Sequence, residues 1–321
     1  MSATAVPASS PYVGGFRHEA LFYEGDAGFL AGTLPFIRGA VLRSEPTLVV
    51  VSAHKIDRLR ADLNGDTGGV QFIDMGDVGA NPARIIPAWR EFVEEQGADG
   101  TVPMRGIGEP IWAERRPAEL VECQHHESLL NLEFADDAPL WLMCPYDTET
   151  LGRDVIEGAR RSHPYLRHGQ IERASAAYRG ESLFAAALDD PLPEPPADTG
   201  EHRFRRGGLD DVRRFVSHRA TSFGIGPGKV VDLVLAVNEV ATNSIVHGGG
   251  GGVLRAWPTG DAFVCEVRDD GHIDRPLVGR ARPAADREGG RGLWLANQLC
   301  DLVQVRSSPS GTVVRLYTWR S

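Results

Sequence analysis

The hydrophobic pattern of the chain changes its period several times. From Asp26 to Arg43 the apolar residues Phe29, Leu30, Leu34, Ile37, Val41 and Leu42 recur at helical spacing. Thr47-Leu48-Val49-Val50-Val51-Ser52 is then a short unbroken apolar run with β-branched residues, which reads as a strand buried on both faces. Lys55–Leu63 returns to a helical pattern and Val70–Asp74 to a strand. Helices are predicted over Pro82–Gln96, with proline in the tolerated first turn, and over Pro117–Phe134. Leu140–Cys144 reads as a buried strand and Thr148–Ser162 as a further helix. Strand and helix alternating in this way predict an α/β fold, a mostly parallel sheet with helices on both faces.

The pattern breaks at Asp189–Glu201, DDPLPEPPADTGE, which holds four prolines and five acidic residues. Proline stiffens the chain and removes donors, and clustered like charge resists collapse, so this stretch predicts a linker. It separates residues 14–188 from residues 202–321. The second part reads differently. Helices are predicted over Leu209–Phe223 and Pro227–His247, and a glycine run at 248–252 stops the second one. Strands Val253–Trp257 and Ala262–Arg268 follow, then a Gly/Pro/Arg-rich loop at 269–292, a helix over Leu293–Cys300, and a hairpin of Leu302–Arg306 and Thr312–Trp319. Helices packed on one face of a mixed sheet predict an α+β sandwich.

Composition narrows the function classes. The 321 residues carry 34 Lys+Arg against 44 Asp+Glu, a formal net charge of -10, which disfavours wholesale binding to nucleic acid or to an anionic membrane. Only Lys55 and Lys229 are lysines, a skew that reads as codon usage before function. No stretch approaches the ~18–20 apolar residues of a membrane helix, and residues 1–15 lack the charged start and apolar core of a secretory signal. Cys123, Cys144, Cys265 and Cys300 are scattered without a CxxC pair. The expectation is a reduced, cytoplasmic protein.

The candidate chemistry concentrates in KVVDLVLAVNEVATNSIVHG. Val230, Val234, Val237, Ala241 and Ile245 share one face that should pack on the sheet, while Glu239, Asn243 and His247, at i, i+4 and i+8, share another. An amide oxygen can take a Mg²⁺ position, and a carboxylate one turn away can orient water or accept a hydroxyl proton. A solvated face of an amphipathic helix fits the same spacing. Downstream, Val267-Arg268-Asp269-Asp270-Gly271 ends a strand with an acidic residue two before a glycine. Glu288-Gly289-Gly290-Arg291-Gly292-Leu293 then opens a helix. Glycines before a helix N-terminus let backbone N–H groups approach phosphate, and the helix dipole favours the anion.

Taken in order, these residues resemble the Bergerat-type ATP-binding fold shared by gyrase, the Hsp90 chaperone, histidine kinases and the anti-sigma-factor serine kinases. Glu239/Asn243 matches the N-box, Asp269-x-Gly271 the second box and Gly289–Leu293 the glycine box, over about residues 202–320. The resemblance implies that Asp269 hydrogen-bonds the adenine amino group and that Gly271 lets the base approach. Asn243 would hold Mg²⁺ against the phosphates, and Thr312 corresponds to the adenine-side threonine. His247, Gly289, Gly290, Arg291, Gly292 and Leu293 complete the implied ATP site, and Arg275–Gly289 would be the lid. The chain departs from the usual DxGxG, reading His272-Ile273-Asp274 after Gly271. The compact helix and closing hairpin are most similar to the anti-sigma kinases, which bind a sigma factor and phosphorylate a serine on a STAS-domain antagonist. In that group the N-box glutamate, here Glu239, is the proposed base.

The first part resembles the sensory domain called MEDS, found in bacterial and archaeal regulators. Phe16-Arg17-His18-Glu19-Ala20-Leu21-Phe22-Tyr23, residues 105–109, Glu122–Asn131 and Leu142–Asp147 carry the resemblance, over about residues 14–170. It implies a RecA-like topology and an input that is a small molecule or a partner. No GxxxxGK[ST] is present, so P-loop hydrolysis is not expected. Cys123, His125 and His126 form a C-x-H-H cluster on a predicted helix. They read either as a packed cysteine beside solvated histidines or as half of a metal site lacking a second ligand cluster. Trp112 and Trp141 read as core, with a pocket wall the other reading.

The sequence thus implies a regulator whose ATPase domain binds Mg·ATP and acts as an anti-sigma serine kinase under a sensory domain. A non-catalytic, ATP-gated binding module and an orphan histidine-kinase-like protein are the alternatives. Against the latter, no phosphoacceptor helix pair is evident, and His218 lacks an acidic neighbour in Ser217-His218-Arg219. Whether the unit is a homodimer stays open.

Overall fold

A computed structural model describes residues 15–96, 102–134, 138–180, 182–281 and 291–320. The chain divides into two compact units. The first takes residues up to Val78, Trp89–Arg116 and Leu130–Gly180; the second takes Gly79–Ala88, Pro117–Leu129 and Glu181–Ser321. The second unit is therefore not only the stretch beyond the proline-rich segment. It also takes in two pieces from earlier in the chain.

The elements run β1 (Arg17–Tyr23), α1 (Gly25–Leu42), β2 (Thr47–Val51), α2 (Ala53–Leu63), β3 (Val70–Asp74), α3 (Met75–Val78), a 3₁₀ turn at Pro82–Arg84, α4 (Ile85–Gln96), β4 (Met104–Gly108), α5 (Pro117–Glu133), β5 (Leu140–Asp147), α6 (Arg153–Ser162), β6 (Tyr165–His168) and β7 (Ile171–Ala174). The seven strands form one sheet in the order β3-β2-β4-β5-β1-β6-β7, parallel except for the β6–β7 pair. β2, β4 and β5 are buried nearly throughout, as strands covered on both faces must be. Gly106 on β4 has a packing reason. A Cβ there would come within 2.7 Å of the Trp89 ring of α4, so glycine lets that indole lie on the strand. The α/β expectation is met. The helix predicted to begin at Thr148 begins only at Arg153, after a turn in which the Asp147 carboxylate accepts from the Glu149 N–H. The Pro82 helix starts as a 3₁₀ turn capped by Asn81.

The second unit continues with α7 (Ser182–Asp189), β8 (Gly200–Arg205), α8 (Leu209–Phe223), α9 (Pro227–His247), β9 (Gly251–Thr259), β10 (Ala262–Asp269), α10 (Arg291–Leu299), β11 (Leu302–Ser308) and β12 (Gly311–Trp319). The sheet, β11-β12-β10-β9-β8, is wholly antiparallel rather than mixed. Its fifth strand, β8, starts inside the stretch read as linker. That stretch is also tied down: Arg306 donates to the Asp190 carbonyl at 2.8 Å, Arg315 to that of Pro193, and Arg268 reaches Glu194 at 3.5 Å. Like charge did not keep it off the domain, because the sheet face below presents arginines.

α8, α9 and α10 cover one sheet face through a core that includes Val216, Leu233, Val237, Leu254, Val267, Ala296 and Leu316. The buried stripe of α9 is Val230, Leu233, Ala236, Val237, Val240, Ala241 and Ser244. Val234 and Ile245, expected on it, flank it half-buried, so the helix is rotated slightly from the expected face. α9 is also long and apolar enough to cross a membrane by length and composition, contrary to the expectation that no stretch would be. Its apolar stripe is instead spent on this core.

Candidate functional site

α9 carries Glu239 and Asn243 one turn apart, both half-buried, on a face beside the core stripe. The first turn of α10 meets that face. A Cβ on Gly292 would lie 2.8 Å from Asn243 Nδ2 and 3.4 Å from Glu239 Oε2, so both side chains converge on one bare backbone position. Any larger residue at 292 would displace the amide. Arg291 and Leu293 sit in the same turn, while Gly289 and Gly290 lie outside the described residues, as does most of the expected lid. His247 ends α9 and is exposed.

The second half of the site is built on strand ends. β10 and β12 pair so that Asp269 lies opposite Thr312. The Asp269 carboxylate accepts from Ser244 Oγ at 2.6 Å and from the Gly271 N–H at 2.8 Å. Thr312 Oγ1 donates to the Gly271 carbonyl at 2.9 Å and meets Ser307 Oγ at 2.8 Å, and Ser307 Oγ also accepts from the Ile273 N–H at 2.8 Å. Asp269 and Gly271 are thus locked from α9 on one side and from the hairpin on the other. A Cβ on Gly271 would come within 2.9 Å of the Gly248 Cα and 3.0 Å of the His247 carbonyl oxygen, which is why the turn is bare there. Ile273, standing where the usual motif has its second glycine, is packed against the core and anchored by Ser307. Each Asp269 oxygen uses one of its lone pairs here and has a second.

Ser244 and Ser307 were missed by sequence reasoning. Ser244 had a signal: it is the one hydroxyl on an otherwise aliphatic buried stripe, and such a group needs a partner. Ser307 had none, since a serine in a predicted turn is ordinary. A cavity of about 620 Å³ opens at this same strand end, touching Asp269, Asp270, Ser307 and Thr312 and walled by residues 249–252.

Two pieces from earlier in the chain brace this unit. Asn81 and Arg84 donate to the last carbonyls of α10: Arg84 Nε to Asn297 O at 2.8 Å and Nη2 to Gln298 O at 2.7 Å, while Asn81 Nδ2 reaches Asn297 O at 3.1 Å. Those carbonyls have no partner within the helix and need one. Glu122, on α5, is buried and accepts from Arg306 at 2.8 Å and Arg280 at 3.3 Å. Burial alone would raise the Glu122 carboxyl, but the hydrogen bond from His125 and the charges of Arg306 and Arg280 outweigh it and hold it at about 2. For Arg280 burial wins, and its guanidinium falls below its usual range.

In the first unit a buried ionic triad stands at the carboxyl ends of the parallel strands. Lys55 Nζ lies 2.6 and 2.7 Å from the two Glu109 oxygens and 2.6 Å from Tyr23 Oη, which donates to Glu109 at 2.6 Å. Burial pushes the Tyr23 hydroxyl up, with the adjacent Glu109 charge adding to it, and burial pushes Glu109 up despite Lys55. Cys123 is packed, as one reading had it, but His126 is buried and His125 nearly so; neither is solvated. Trp141 is core, as one reading had it, and its edge also lines a cavity of about 490 Å³ with Phe36, Arg105 and Arg167. Trp112, half-buried, stacks under Arg115 at 3.8 Å.

Residues 17–164 match the family model described as MEDS, the methanogen/methylotroph, DcmR sensory domain. Residues 189–318 match that of the histidine kinase-like ATPase domain. A search of curated proteins finds no match. Among solved structures, the chain is similar to the RsbU and RsbW domains of Rv1364c from Mycobacterium tuberculosis, with 19% identity and a TM-score of 0.30 over 39% of this chain and 33% of that one. The match therefore spans about a third of that protein. The stretch matching the sensory family contains both bracing pieces, residues 79–88 and 117–129.

Proposed function

We propose that this chain, in which a MEDS sensory region precedes a histidine kinase-like ATPase region, is an ATP-dependent anti-sigma regulator. It would bind a sigma factor and phosphorylate a serine on a STAS-domain antagonist. One observation carries the reading: Glu239 and Asn243 converge on Gly292 at the opening of α10, while Asp269 is held at the strand end by Ser244 and Gly271.

The residues fit a nucleotide. The Asp269 carboxylate is an acceptor in a fixed orientation, suited to an amino group such as that of adenine. The bare backbone at Gly271 and Gly292 leaves room where a side chain would intrude. The start of α10 supplies N–H donors and a helix dipole toward phosphate. Mg²⁺, when bound, neutralises phosphate charge, and Asn243 is the residue this chain offers it. Glu239 is the candidate base: a half-buried carboxylate beside the glycine box can accept a serine hydroxyl proton at an Oε atom as the hydroxyl oxygen bonds to the γ-phosphorus, the bond to the β,γ-bridging oxygen breaks and ADP leaves. Sensory control has a route through Arg84 and Glu122. Both belong to the sensory stretch, and they hold α10 and the Arg280 segment respectively.

The test is phosphate incorporation. The full chain is incubated with terminally labelled ATP, Mg²⁺ and a co-encoded STAS protein, beside a direct ATP titration. Label on the antagonist's serine supports the kinase. ATP binding without transfer, with partner affinity changing on ATP addition, supports a non-catalytic, ATP-gated module instead.

A further inference from the structure

The first unit brings together three side chains that lie far apart in sequence: His18 on β1, Cys144 on β5 and His163 just after α6. All three are buried, and one ligand-capable atom of each lies within 4.8 Å of the others. β1 and β5 are neighbouring parallel strands, with His18 opposite Leu142 and Ala20 opposite Cys144. His18 and Cys144 therefore stand on the same sheet face, where alternation would have separated odd from even positions.

The protonation pattern is fixed by the surroundings. Asn131 Nδ2 donates to the Ser162 carbonyl at 2.7 Å, so its Oδ1 is the atom facing His18 Nδ1 at 3.1 Å, and that ring nitrogen must donate. His18 Nε2, carrying the lone pair, then points at Cys144 Sγ, 3.3 Å away. His163 repeats the arrangement. Its Nδ1 lies 2.8 Å from the Ala159 carbonyl, which can only accept, so the neutral ring keeps its lone pair on Nε2. Imidazoles that hold metals are oriented this way, donating the other ring N–H to a carbonyl or amide oxygen. The separation of His18 and Cys144 also suits one ion. Zn–N near 2.0–2.1 Å and Zn–S near 2.3 Å at a tetrahedral angle give an N···S distance of about 3.5 Å. Two imidazoles and a thiolate select a borderline-soft divalent ion over the hard cations that prefer oxygen ligands.

We infer that His18, Cys144 and His163 form a zinc site in the sensory unit. Binding replaces the Cys144 thiol proton with the metal and releases that proton to solvent.

Metal content of the purified full chain, after dialysis against zinc and then metal-free buffer, should be roughly one zinc per chain. It should fall at least tenfold in Cys144→Ser and in His163→Gln, and stay unchanged in His168→Ala, an exposed histidine nearby. Because a buried substitution can disturb folding, cobalt(II) provides a second readout on the wild type. A thiolate-to-cobalt charge-transfer band with tetrahedral d–d bands is expected. In Cys144→Ser the charge-transfer band should vanish, with circular dichroism confirming the fold. A wild-type chain that retains no zinc and shows no thiolate–cobalt band overturns the site, as do variants that keep full metal content.

Discussion

Asp269 and Lys55 show at single residues how this chain separates binding from stability. The Asp269 carboxylate is oriented by one hydroxyl and one N–H, and its remaining lone pairs are the edge we propose reads adenine. Asp269→Asn keeps the shape but loses a charge-assisted acceptor. It should weaken ATP binding by about 1.5–3 kcal/mol in a calorimetric titration, with the melting temperature little changed. Lys55 is the converse case. Its ammonium is nearly buried against Glu109, so Lys55→Met strands a buried carboxylate and should cost roughly 3–5 kcal/mol in denaturant melts. The double variant Lys55→Met/Glu109→Gln should recover part of that loss. A single and a double variant of equal stability would show that the pair is not coupled. Asp269 was legible in the sequence because a strand, an acidic residue and a glycine follow one another. Lys55, Glu109 and Tyr23 were not legible as a group, since they meet only once β1, β4 and the start of α2 are side by side.

Among the elements, α9 and α10 form the candidate site and α5 braces the unit that carries it. The periods of α8, α9 and β10 could be read directly, because each has one long face committed to one core. β4, β6, β7 and β8 could not. β4 is interrupted by the glycines that admit Trp89, β6 and β7 are short and at the sheet edge, and β8 is hidden behind prolines. Glu122 on α5 has a measurable signature. Its carboxyl is depressed to about 2 in the folded chain, against an unfolded value near 4.3. A depressed carboxyl contributes stability that is fully present above the unfolded value and is lost as pH falls through the folded one. The second unit should therefore lose on the order of 3 kcal/mol between about pH 5 and pH 2, and Glu122→Gln should flatten that limb. Acid unfolding curves of the two proteins that superimpose would contradict this.

For the molecule as a whole, the boundary read from proline and charge at 189–201 is only part of the division, because residues 79–88 and 117–129 pack with the second unit. No local pattern announces that, since both pieces read as ordinary α/β helices until their polar groups find Asn297, Arg280 and Arg306. A fragment of residues 189–321 should thus fold and bind nucleotide, yet melt at a lower temperature than the second unit does in the full chain. Equal melting temperatures would mean that the two earlier pieces contribute nothing to its stability. The central claim is that one site both binds Mg·ATP and transfers its phosphate, with the two tasks divided between Asn243 and Glu239. The direct measurement is ATP affinity and phosphate transfer to the antagonist's serine, taken side by side for wild type, Asn243→Ala and Glu239→Gln. The account predicts that Asn243→Ala loses both together. Glu239→Gln should bind ATP nearly as wild type does, while transfer falls by roughly 10²–10⁴-fold. Wild-type transfer rates in Glu239→Gln with normal binding would contradict it.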